Sequence, residues 1–171
     1  MNPASFRSMT VAVVASATSM TLFSGAVYAD TVRGSIDGEA REWHVLTGDD
    51  GKTVNFSELS AGIYQVTVQA HRQDRYEVEG SVSLTFTVMD GTVLDAEAMY
   101  FPQAGMFPHY TREEAGGGLE IERMELTGAT GRLVGRFEGE LVHRASMFSE
   151  LDESNVTILV LEFEVSPTRE G

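Results

Sequence analysis

Apolar residues recur at every second position through most of this chain. Tyr64, Val66, Val68 and Ala70 alternate with Gln65, Thr67, Gln69 and His71, and Val82, Leu84, Phe86 and Val88 alternate with Ser81, Ser83, Thr85 and Thr87. Leu94, Ala96, Ala98 and Tyr100 interleave with Asp95, Glu97 and Met99, as do Leu159, Leu161, Phe163 and Val165 with Val160, Glu162 and Glu164. A period of two suits extended backbone with one buried and one wet face; a helix would scatter these side chains around its axis. The pattern predicts strands over 31–36, 42–46, 53–57, 63–71, 81–89, 92–101, 119–126, 132–143 and 156–166.

Turn residues punctuate these segments at Asp37-Gly38, Asp49-Asp50-Gly51, Asp90-Gly91, Gly116-Gly117-Gly118 and Gly128-Ala129-Thr130-Gly131. Only 112–115 and 146–151 read as short helical pieces. The expected fold is therefore all-β: an antiparallel β-sandwich of about eight or nine strands, with a small closed β-barrel as the alternative.

Two local details follow from the same pattern. A two-residue turn at Asp90-Gly91 would oppose Phe86 with Asp95 and Leu84 with Glu97, placing carboxylates on the apolar face. A three-residue loop, Met89-Asp90-Gly91, instead opposes Phe86 with Leu94, Leu84 with Ala96 and Val82 with Ala98, and this register is preferred. Further on, Leu133, Gly135, Phe137, Gly139 and Leu141 share one face. Glycines inside such a strand mark close approach by another element or a bend.

The first residues obey a different rule. Arg7 is the only charge before Asp30, and the stretch from Met9 to Ala29 is apolar or small, ending in Val27-Tyr28-Ala29. These are the parts of a cleavable export signal, expected to span residues 1–29 and to leave a single domain at 30–171. The interrupting Ser16, Thr18, Ser19, Thr21 and Ser24 weigh against an uncleaved membrane anchor. The expected location is the periplasm or the exterior.

Cysteine is absent, so disulfides, thiolate metal sites, cysteine nucleophiles and a lipid-modified N-terminal cysteine are all excluded. The formal net charge is −14; losing Arg7 with the signal would make it −15. Such a surface repels nucleic acid and anionic lipid.

Catalytic patterns are missing. There is no Gly-x-Ser-x-Gly and no His-Glu-x-x-His, and His44, His71, His109 and His143 lie in separate segments. No cofactor is expected. Calcium is the alternative, at Asp37-Gly38-Glu39 with Glu42 or at Asp49-Asp50-Gly51, although Asp-Gly is also ordinary turn chemistry.

The most unusual segment is Tyr100–Tyr110, with four aromatics, two prolines and a methionine. Its Tyr100, Met106, Phe107, His109 and Tyr110 are the candidate contact residues for a ligand or partner, since aromatics with polar tips suit contact surfaces. Phe101, Met106 and Phe107 could equally cover one end of the core, and Met99, Met106 and His109 could offer soft ligands to copper.

The function expected from these observations is an exported, non-catalytic binding or interaction module whose partner is a protein or a glycan. The alternatives are a barrel carrying an apolar ligand among Phe86, Leu161 and Phe163, and a hydrolase of unrecognised type.

Overall fold

The computed structural model describes residues 29–49, 51–114 and 118–170. The expected export signal up to Tyr28, Asp50 and the Gly116-Gly117 turn lie outside the described residues. The described chain is all β, with no helix. Its strands are β1 (Thr31–Ile36), β2 (Glu39–Trp43), β3 (Thr47–Gly48), β4 (Gly51–Lys52), β5 (Val54–Ser60), β6 (Ile63–Ala70), β7 (Val82–Met89), β8 (Thr92–Tyr100), β9 (His109–Glu114), β10 (Leu119–Thr127), β11 (Thr130–Arg144), β12 (Asp152–Val165) and β13 (Thr168–Arg169).

One large sheet runs β13-β5-β6-β7-β8-β9-β11-β12-β1-β2, with β10 also on β11, and β3-β4 forms a separate small ribbon. Neighbours are antiparallel except β13 and β5, which run parallel. The alternation read from the sequence is the packing rule. Val66, Val68, Val82, Leu84 and Phe86 from one part of the sheet and Leu133, Phe137, Leu159, Leu161 and Phe163 from the other join a single buried cluster. A sheet whose distant strands share one core must fold over on itself, as the layers of a sandwich do.

Two links hold the ends together. β13 pairs with β5 on one side and touches β11 through Thr130 and Thr168 on the other. At the opposite end of the path, His44 and His71 exchange backbone hydrogen bonds of 2.7 and 2.9 Å. The layered packing thus has barrel-like closure. Trp43 seals the second link, its indole N–H donating to the Gly80 carbonyl at 2.9 Å from a buried position.

The structure corrects the predicted β7–β8 register. Met89 pairs with Thr92, so the turn is the two-residue one, with Asp90 at φ 50° and Gly91 at φ 80°. Positive φ at both central positions is what such a turn requires, and Asp-Gly supplies it. The parity conflict that argued against this turn disappears because a bulge follows: Val88 pairs with Val93 but Thr87 with Asp95. Phe86 therefore faces Ala96, Leu84 faces Ala98 and Val82 faces Tyr100, while Leu94, the extra residue, is exposed.

A second bulge lies between Ile121 and Arg123 in β10. It explains why the apolar positions there switch from odd (Leu119, Ile121) to even (Met124, Leu126).

The short helical pieces do not form. Residues 112–114 belong to β9, whose Thr111 and His109 are buried polar side chains, so the apolar signal that marks other strands is missing. The 146–151 segment contains a turn in which the Ser149 amide donates to the Ser146 carbonyl at 3.2 Å and the Ser149 hydroxyl to the same oxygen at 2.9 Å.

Candidate functional site

The Tyr100–Tyr110 segment folds onto the end of the core. Tyr100 and Tyr110 are register partners between β8 and β9, and their rings stack with centroids 6.3 Å apart. The Tyr110 hydroxyl donates to Asn155 Oδ1 at 3.0 Å, and its ring meets His143 edge-on at 5.3 Å. His109 is buried between Phe101 and Phe107, with centroids at 5.7 and 4.8 Å. Its Nδ1 lies 2.8 Å from the Met106 carbonyl, which can only accept, so Nδ1 carries the proton.

Of the five candidate contact residues, Tyr100 and His109 are buried, Phe107 and Tyr110 half-buried, and Met106 exposed. The structure thus divides them into two ring groups, one around Tyr110 and one around His109. His143 and Asn155 complete the first, and the sequence pattern did not point to either in that role.

Of the residues considered for calcium, Asp37 and Glu39 have structural partners. Asp37, at φ 50°, accepts from the Ile158 amide at 2.7 Å through Oδ1 and from the Thr157 hydroxyl at 2.8 Å through Oδ2. Glu39 pairs with Arg41 at 2.7 Å. Among the described residues no three His, Asp or Glu side chains group as a metal site.

A different location gathers exposed polar chemistry. After β2 the chain crosses the rim of the folded sheet, forms the β3–β4 ribbon and enters β5, leaving a cavity of about 710 Å³ between this ribbon and the β6–β7 loop. Lys52, Asn55 and Gln69 line it from the strands and Asp74, Arg75 and Tyr76 from the loop. The volume falls within the roughly 300–1,000 Å³ of small-ligand sites.

The site is held rigidly from below. His71, at the end of β6, is fully buried, and its Nδ1 donates to the Glu77 carbonyl at 2.8 Å, tying down the loop. Its Nε2 is buried without a hydrogen-bond partner. Tyr76 lies over this imidazole with ring centroids 5.0 Å apart, yet remains 70% exposed. One part of the tyrosine is therefore supported by the fold and the rest is presented to solvent.

Opposite, Lys52 is almost fully enclosed. Its Nζ lies 2.6 Å from Asp30 Oδ2 and donates to the Ser166 carbonyl at 2.6 Å. Asp30 also accepts from the Ser166 amide at 2.7 Å. The ribbon is fixed by the Leu46 amide donating to Thr53 Oγ1 and the Thr53 amide donating to the Leu46 carbonyl, both at 3.0 Å.

Sequence reasoning did not select this cavity. The available signal was the stretch from His71 to Gly80, the longest described connection between consecutive paired strands of the β5–β8 meander, carrying an isolated tyrosine among charges. Loops on a rigid scaffold are where binding groups concentrate.

Compared with protein-family models, curated proteins and solved structures, the chain shows no significant match to any of them. No helix among the described residues is long and apolar enough to cross a membrane.

Proposed function

We propose that this protein is an extracytoplasmic, non-catalytic binding module that engages its ligand at the rim cavity. The observation that carries the reading is Tyr76: a large aromatic, 70% exposed, yet braced on a fully buried histidine whose own hydrogen bond anchors the loop. A ring already ordered in the free protein loses little freedom when it is covered, which favours binding. The export signal read from residues 1–29 supports the location.

The internal-carrier alternative receives less support. Phe86, Leu161 and Phe163, which would line an interior ligand, are at most 2% exposed and packed in the core cluster.

The reading is tested with the mature chain, residues 30–171, and envelope material sedimented from the source cells. The protein is expected to co-sediment, and Tyr76→Ala is expected to abolish this while leaving the fold intact. Co-sedimentation that Tyr76→Ala does not affect would remove the cavity from the account. Turnover of any envelope component by the pure protein would remove the non-catalytic assignment.

A further inference from the structure

We infer that the ligand of the rim cavity is a neutral glycan; the inference rests on the preceding reading of that cavity as the binding site. A pyranose ring offers two kinds of surface. Its faces carry C–H groups and its periphery carries hydroxyls that each donate and accept. A complementary site needs an exposed aromatic face for the C–H groups, because the ring's negative π-face attracts them. It also needs planar polar groups around the edge, to replace the water lost from the hydroxyls.

The cavity contains both parts. Tyr76 supplies the platform. Asn55 and Gln69 provide amides with donor and acceptor ends, Asp74 a carboxylate that can accept from neighbouring hydroxyls, and Arg75 a fork of donors. Arg75 is held only loosely, 3.8 Å from Glu77 and largely exposed, so it can reorient toward a ligand.

Charge narrows the class. The Lys52 ammonium is neutralised by Asp30 at 2.6 Å, so it does not recruit an anion. The chain as a whole carries a formal −14. A polyanionic glycan would approach against that field, whereas an uncharged one would not. Extended apolar ligands are disfavoured too, since polar and apolar groups share the lining about equally and such a ligand would leave the polar ones unpaired.

The test is calorimetric titration of the mature chain with neutral hexasaccharides: β-1,4- and β-1,3-linked glucose, α-1,4-linked glucose and β-1,4-linked N-acetylglucosamine. Polygalacturonate serves as the anionic comparison. At least one neutral probe is expected to bind with a Kd of about 10 μM to 1 mM. Tyr76→Ala should weaken it by about tenfold or more, and Tyr76→Phe, which keeps the ring, by no more than about twofold. Emission from the buried Trp43 reports whether each variant is folded.

Absence of binding to every neutral probe, binding indifferent to Tyr76→Ala, or preference for polygalacturonate would each overturn the inference. The two readings fail differently. Tyr76-dependent co-sedimentation that is destroyed by protease treatment of the envelope identifies a protein ligand, overturning the glycan and keeping the site.

Discussion

The Phe163 ring occupies the space that a side chain on Gly135 would need. The two residues are register partners between β11 and β12, and a Cβ built on Gly135 would lie 2.7 Å from Phe163 Cζ and 2.6 Å from the Glu120 carbonyl. The glycine lets a large aromatic lie flat across its own sheet inside the core.

Gly135→Ala is therefore expected to lower unfolding free energy by about 1–3 kcal/mol, the usual cost of forcing atoms into a packed interior. Phe163→Ala acts in the opposite sense, leaving a void, and should cost about 3–5 kcal/mol. Urea unfolding followed by Trp43 emission measures both. A neutral Gly135→Ala would contradict the packing described.

Asp37 ties the β1–β2 turn to β12. Asp37→Ala removes the acceptor of the Thr157 hydroxyl, a buried residue, and puts alanine at φ 50°. Leaving a buried hydroxyl unpaired costs about 1–3 kcal/mol, and the backbone strain adds to it. Asp37→Asn tolerates the left-handed conformation and keeps one acceptor, so it should lose clearly less. Thermal melting of the two variants side by side checks the order.

Asp152 gives a pH-dependent contribution of known sign. The Ser154 hydroxyl, at 2.6 Å, and then its backbone amide, at 3.1 Å, hold the carboxyl below the ordinary carboxylate range. A folded-state value below the unfolded one stabilises fully above the unfolded range and is lost as pH falls through the lowered value. Ser154→Ala should move the Asp152 titration upward, observed as its carboxyl carbon shift by NMR. An unchanged titration would refute the assignment to Ser154.

Lys52 is enclosed with Asp30 and the Ser166 carbonyl, and Lys52→Met leaves both oxygens without this donor. The expected loss is about 1–3 kcal/mol. Because Lys52 is in the ribbon that borders the cavity, amide exchange in 46–53 should quicken more than in β7. Equal protection throughout would show that the pair does not hold the ribbon.

Much of the scaffold could be read from residue order because burial on one face imposes a period of two. β6, β7 and the second half of β12 alternate without interruption, and their predicted bounds hold to within about a residue at most ends. β9 escaped because its inward positions are His109 and Thr111, polar side chains that are buried where the other strands bury apolar ones. The β7–β8 register escaped because the bulge at Leu94 shifts parity without a sequence mark. The candidate cavity escaped for a third reason: Lys52, Gln69 and Tyr76 come from separate segments that meet because β5 and β6 pair antiparallel, which sets the residues before β5 beside those after β6.

Residue order alone thus determined the strand class, most strand positions and which face of each strand is apolar, since these depend on spacing within a few residues. Tertiary structure decided the bulges, the closure through β13 and the His44–His71 link, and the meeting of the β3–β4 ribbon with the β6–β7 loop. Those depend on contacts between distant segments, which a local pattern does not encode.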